Sequence, residues 1–164
     1  MSELHLLIGP VGSGKSTWAR RRSAQSPALF LDVDQWMVRL YGDDERPPTG
    51  VMEWYVARRE RVRSLIWDTA RQVTGAGGDV ILELGLVTEA ERMAAYRTAS
   101  LVDVDVRIRL LDAPRSLRRE RVAQRNQEGG PFTQVVPPPF FEAASDAWEP
   151  VTEAERAEWG IVDA

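Results

Sequence analysis

The sequence predicts a three-layer α/β domain built on a parallel sheet, and three observations predict it. Short apolar runs that read as strands alternate with longer stretches that read as helices. The runs are nearly continuous in apolar character, as strands covered on both faces require. The chain has 164 residues, 43% of them apolar, which is enough to bury a core without staples.

The elements follow in order. Residues 4–8 (Leu-His-Leu-Leu-Ile) form a first strand that stops at Gly9, and a helix follows over 13–22. His5 inside that strand reads as a packed core residue. Residues 28–33 make the second strand and 34–41 a short helix, for which Asp34 is a suitable N-cap. A polar, Pro-rich loop over 42–50 precedes a long helix over 51–73. Val51, Tyr55, Val62, Ile66 and Trp67 give that helix its apolar stripe, and Gly75-Ala76-Gly77-Gly78 stops it. The third strand spans 79–84. The next helix spans 88–100, with Thr88 and Glu91 spaced as a capping box. A fourth strand covers 102–111, and Pro114 opens a helix reaching 127. Residues 129–139 are a Gly- and Pro-rich loop, 139–148 a helix, and 149–164 an acidic tail that closes with Ile161-Val162. All of this reads as one domain over 1–164. Parallel sheets bind ligands beyond the carboxyl ends of their strands, so functional residues are expected just after Ile8, Val33, Leu82 and Leu111.

Composition excludes several chemistries. With no cysteine there is no disulfide, thiolate ligand or thiol nucleophile. No apolar run reaches eighteen residues, so a cytoplasmic protein without a membrane span is expected. A net charge of −4 argues against a life on long duplex nucleic acid. Arg115, Arg118, Arg119, Arg121 and Arg125 nevertheless crowd one segment into a local anion-attracting patch. Of 21 basic residues the only lysine is Lys15, in a chain that otherwise uses arginine. A position that keeps lysine under that bias calls for a compact ammonium.

Lys15 falls inside Gly9-Pro10-Val11-Gly12-Ser13-Gly14-Lys15-Ser16-Thr17, which satisfies G-x-x-x-x-G-K-[ST] between a strand and a helix. Gly9, Gly12 and Gly14 let the backbone turn so that N–H groups, including those of Ser13 and Thr17, converge on phosphate oxygens. The following helix adds uncapped N–H groups and its positive dipole end. Lys15 is expected to bridge the β- and γ-phosphates and the Ser16 hydroxyl to hold Mg²⁺.

After the second strand, Asp34 is placed to accept the proton of an attacking hydroxyl, with Asp32 in a supporting role. Glu83, ending the third strand, faces either a metal-bound water beside Ser16 or solvent. Arg118, Arg121 and Arg125 share a helical face, while Leu117 and Val122 point to the core. Arg121 and Arg125 suit a clamp on transition-state charge, Arg118 a phosphate contact, and Gly129-Gly130 the hinge of a lid over about 115–136.

Taken together these residues resemble the small P-loop kinases that phosphorylate hydroxyls, among them polynucleotide 5′-kinases, chloramphenicol phosphotransferase and zeta toxins. The resemblance runs over roughly residues 4–145 and is strongest at residues 12–20 (Gly-Ser-Gly-Lys-Ser-Thr-Trp-Ala-Arg), at Asp34, and at Leu111-Asp112-Ala113-Pro114 with Arg121 and Arg125. It implies a three-layer P-loop NTPase fold of the kinase type. The sheet would be parallel and five-stranded, in the order 2-3-1-4-5, with a small arginine-bearing lid. It further implies ATP as the nucleotide, with Mg²⁺. Polynucleotide kinases carry an arginine where this chain has Met37, and the acid at Glu83 is aspartate in them. The first expectation is therefore a kinase acting on a hydroxyl of a small, partly apolar molecule, whose pocket lies within 36–60. A polynucleotide or nucleoside kinase acting on a short single-stranded end is the second. A nucleotide-binding switch with slow hydrolysis and no acceptor is the third.

Overall fold

The computed structural model describes residues 2–130 and 133–164. In chain order the elements are β1 (Glu3–Ile8), α1 (Lys15–Gln25), β2 (Ala28–Asp32), α2 (Val33–Tyr41), α3 (Val51–Gly75), β3 (Asp79–Glu83), α4 (Glu89–Ser100), β4 (Asp105–Leu110), α5 (Arg115–Glu128), α6 (Pro138–Ala147), α7 (Glu153–Trp159) and β5 (Val162–Asp163).

β1 sits at the centre because its side chains are apolar on both faces: Leu4, Leu6, Leu7 and Ile8 are all buried. The sheet order is β2-β3-β1-β4-β5 and every pairing is parallel. One face packs Leu4, Leu6, Ile8, Leu82 and Ile108 against Ile66 and Trp67 of α3 and Tyr96 of α4. The other face packs Leu7 and Ile81 against Ala19 and Trp18 of α1. His5 is 2% exposed on that second face, edge-on to Trp18 with ring centres 5.4 Å apart. Helices on both sides of a parallel sheet are the architecture that the alternation predicts. Among the described residues, no helix is long and apolar enough to cross a membrane.

Three expectations need correction and one gains an element. The acidic tail closes on the sheet edge as β5, where Ala164 N donates to Leu110 O at 3.1 Å, and a helix not expected there, α7, capped by the Thr152 hydroxyl, precedes it. α2 begins at Val33, so its N-cap is Asp32 and not Asp34; Asp32 Oδ1 accepts from Asp34 N at 2.8 Å and Gln35 N at 3.3 Å. Val51, assigned to the stripe of α3, is 46% exposed. A helix of 25 residues is about 37 Å long. The five-residue strands beneath it span only about 17 Å, so the first turns of α3 overhang the sheet end. Lastly, Leu117 is 38% exposed, whereas its neighbour Arg118 is 6% exposed. The Thr88–Glu91 capping box forms as expected.

Candidate active site

Chain leaving β1 turns over the end of the sheet into α1. Gly9 takes φ +145°, and a Cβ there would lie 2.0 Å from the carbonyl oxygen of Leu111, so the loop packs against the residue that follows β4 only because Gly9 lacks a side chain. At Gly12 a Cβ would lie 2.7 Å from the Arg118 carbonyl oxygen of α5. At Gly14 the geometry is different. Its φ is +106° and a Cβ would meet nothing nearer than Arg121 Nη1 at 3.8 Å, so it would project into open space. That space is a cavity of about 570 Å³ lined by the loop, Glu83, Arg121 and Arg125.

Three features fit this cradle to a phosphate group. Gly14 caps α1 without a side chain, so the first N–H groups of the helix have no intrahelical partner. The Ser13 hydroxyl is buried and without a hydrogen-bond partner. Lys15, 8% exposed, donates to Gly9 O at 2.8 Å and Pro10 O at 3.0 Å and stands 3.5 Å from Glu83 Oε1. The Ser16 hydroxyl donates to Glu83 Oε2 at 3.0 Å. The structure thus brings Lys15, Ser16 and Glu83 together, and Glu83 faces the loop. Among the described residues no three acidic or histidine side chains form a metal-holding group. A hydroxyl and one carboxylate suit Mg²⁺, which keeps waters and shares phosphate oxygens.

Behind Glu83 the acids accumulate. Asp32 is its cross-strand partner in the β2–β3 ladder and is 7% exposed. Burial, then the charges of Glu83 and Asp34, push the Asp32 carboxyl up to about 7. A native value above the unfolded one means that the folded state binds the extra proton. The stability this contributes is complete below about pH 4 and is lost as pH rises through about 7. Asp32→Asn keeps the cap and removes the charge. It is expected to raise the Mg²⁺-free melting temperature at pH 8 by several degrees and to leave it nearly unchanged at pH 4. An equal effect at both values would show that the charge is not what costs stability.

Asp34 stands in the first turn of α2 with its side chain 47% exposed, and Arg59 Nη1 donates to its Oδ1 at 2.8 Å. Arg59 was not found from the sequence, since it lies 25 residues away on the overhanging part of α3. The available signal was Met37: it is 5% exposed, so that face of α2 belongs to the core and has no room for a guanidinium.

The arginines of α5 divide. Arg121 Nη1 reaches Ser13 O at 3.4 Å, and Arg125 lines the cavity with a buried Nε that lacks a partner. Arg118 is not among the cavity-lining residues. It donates to Val11 O and Ala113 O, both at 3.0 Å, and to Ser145 Oγ at 3.2 Å, bracing the loop from behind. Burial lowers its pKa from the usual arginine value. α5 is tied to α6 through Glu142, which pairs with Arg119 and Arg115, and Asp146 pairs with Arg115 as well. Asn126 closes the following loop by exchanging hydrogen bonds with Val136. Residues 131 and 132 of the expected lid lie outside the described residues.

The profile of the AAA_33 family, an AAA domain, matches residues 4–137. No curated protein matches the chain. Among solved structures, the chain is similar to one from the Pnkp1/Rnl/Hen1 RNA repair complex (TM-score 0.67, 19% identity), covering 96% of itself but 46% of that chain. It therefore spans less than half the length of that structural relative. Kti12 of Chaetomium thermophilum in complex with ADP-AlF3 aligns with a TM-score of 0.65 at 18% identity, over 98% of this chain and 88% of that one. A gluconokinase from Sinorhizobium meliloti aligns with a TM-score of 0.55 at 15% identity, over 99% and 81%. At these identities the likeness establishes the fold.

Proposed function

The chain belongs to the AAA_33 family of AAA domains, and from that premise we propose that it is an ATP- and Mg²⁺-dependent kinase transferring the γ-phosphate to a hydroxyl of a small molecule. One observation carries the reading: the phosphate loop gathers Lys15, Ser16 and Glu83, and a half-exposed carboxylate, Asp34, opens α2 two residues after Asp32, the cross-strand partner of Glu83. A nucleotide switch has no need of a proton acceptor there.

The residues divide the work as follows. Backbone N–H groups of residues 12–17 and the start of α1 hold the phosphates. Lys15 leaves its loop carbonyls for the β- and γ-phosphate oxygens. Ser16 and Glu83 would hold Mg²⁺, which when bound neutralises phosphate charge. Asp34 takes the acceptor's proton as the acceptor oxygen bonds to the γ-phosphorus. The bond from that phosphorus to the β–γ bridging oxygen breaks, and ADP leaves. Arg121 and Arg125, on the cavity wall, stabilise the spreading charge. In support, the family match spans the loop, Asp34 and both arginines.

A second reading, transfer to a nucleoside or to a short single-stranded nucleic-acid end, is favoured by one cluster. The Trp54 ring carries the guanidiniums of Arg58 at 3.8 Å and Arg46 at 4.4 Å, near Tyr41. A base would stack on this ring in place of one guanidinium, leaving the arginines to meet the phosphates beside it.

ATP consumption with Mg²⁺ against sugars, gluconate, nucleosides, antibiotics and 5′-hydroxyl oligonucleotides tests the proposal and sorts the acceptors. Asp34→Asn should reduce transfer by about a hundredfold or more with ATP binding retained. Wild-type transfer in that variant would remove Asp34 from the chemistry.

A further inference from the structure

Arg59 is a charged side chain only 15% exposed, and three contacts fix it. Nη1 donates to Asp34 Oδ1 at 2.8 Å and to the Tyr55 hydroxyl at 2.9 Å, one turn back along α3. The guanidinium also lies across Gly85, two residues beyond the end of β3. Gly85 takes φ +60°, and a Cβ there would lie 1.8 Å from Arg59 Nη2. Burial by itself would weaken the charge on Arg59, but Asp34 and Tyr55 outweigh it and raise its pKa.

This arrangement is more than a surface ion pair. Pairs with one partner half in water contribute little to folding stability, yet this one occupies space that a glycine must leave open. Asp34 alone, half exposed in the first turn of α2, is free to change rotamer. A base that must meet a hydroxyl in line with a phosphorus loses rate steeply when it wanders.

We propose that Arg59 is the positioning residue of the transfer: it holds Oδ1 of Asp34, so that Oδ2 takes the acceptor's proton. Gly85 belongs to the same device, because any side chain there displaces the guanidinium. Tyr55 keeps the guanidinium from following Asp34 into solvent. Met37, turned into the core, leaves α2 without a cation of its own at that position, and α3 supplies one from the overhanging turns. The inference rests on the reading of Asp34 as the base.

The test measures kcat and the KM for ATP with Mg²⁺ and a mixture of D-gluconate, uridine and a 5′-hydroxyl oligonucleotide as acceptors. Wild type is compared with Asp34→Asn, Arg59→Gln, Arg59→Lys, Gly85→Ala and two double variants. Arg59→Gln and Gly85→Ala are each expected to lower kcat about tenfold to a hundredfold, with the KM for ATP nearly unchanged. Arg59→Lys should restore part of the loss, since it keeps the charge without the fork. Arg59→Gln should add nothing further in either the Gly85→Ala or the Asp34→Asn background. An unchanged kcat in Arg59→Gln, with transfer lost in Asp34→Asn, would overturn the positioning role and leave the base in place. Wild-type transfer in Asp34→Asn would instead overturn the base, and the role of Arg59 with it.

Discussion

Lys15→Ala is expected to reduce phosphoryl transfer by roughly a hundredfold to a thousandfold or more while leaving the chain folded. Lys15 points into the cradle from the start of α1, and its partners are two loop carbonyls and Glu83. Those carbonyls keep the ammonium at the loop until it leaves them for the phosphate oxygens. An alanine there keeps the helix and the glycine packing of the loop but removes the ammonium that meets the β- and γ-phosphates. Arginine is no substitute, because its planar fork is wider than the ammonium and the loop carbonyls approach within 2.8 and 3.0 Å. The single lysine in a chain of arginines agrees with that requirement. Transfer rates should be read beside a thermal melt. A folded Lys15→Ala protein with wild-type transfer would rule this cradle out as the reaction site.

Glu155→Ala is expected to cost about 3–5 kcal/mol of folding stability. Glu155 and Arg92 are 1% and 0% exposed and form a two-pronged pair, with Nε to Oε1 at 2.6 Å and Nη2 to Oε2 at 2.8 Å. Tyr96 donates to Oε1 at 2.8 Å, Arg92 also donates to the Glu149 carbonyl, and its guanidinium lies 5.0 Å from the Trp148 ring. Removing the carboxylate leaves an arginine buried without its counter-charge, which costs far more than the pair is worth intact. Burial alone would raise the pKa of Glu155, but the bonds from Arg92 and Tyr96 outweigh it and hold it below the usual carboxylate range. The stability from this group is therefore present above the unfolded value and is lost as pH falls through the native one. In a melt the variant should drop by about 10 °C. Glu142→Ala, which breaks an exposed cluster of arginine pairs, should barely move the midpoint. Equal shifts for the two would mean that burial is not what makes the Arg92 pair costly to break. Because α7 carries β5 to the edge beside Leu110, and Ala164 lines the phosphate cavity, the same variant should also weaken ATP binding.

Motifs that are contiguous in the chain were readable from it. The phosphate loop is nine consecutive residues whose glycines, lysine and hydroxyl act within one turn, so spacing alone places them. The alternation of apolar runs gave the strands, and the family resemblance supplied their order, which the structure shows. Thr88 and Glu91 lie three residues apart and cap α4 for the same local reason. The cap of α2 was misplaced by two residues, because Asp32 and Asp34 are chemically equal as caps. Only the register of β2 on β3 decides which one leaves the strand first.

Partnerships across the fold were not readable. Arg118 looks like its neighbours Arg121 and Arg125, yet packing of α5 turns it under the loop while the other two line the cavity. Arg59 meets Asp34 because α3 is longer than the sheet it covers. Glu155 meets Arg92 across 63 residues because α7 must lie on α4 to bring β5 to the edge. The phosphate cradle is legible along the chain, since its backbone turns and charges are local properties of consecutive residues. Which charges face that cradle follows from the packed fold, because helix phase and overhang are set by how buried side chains pack and not by any spacing along the chain.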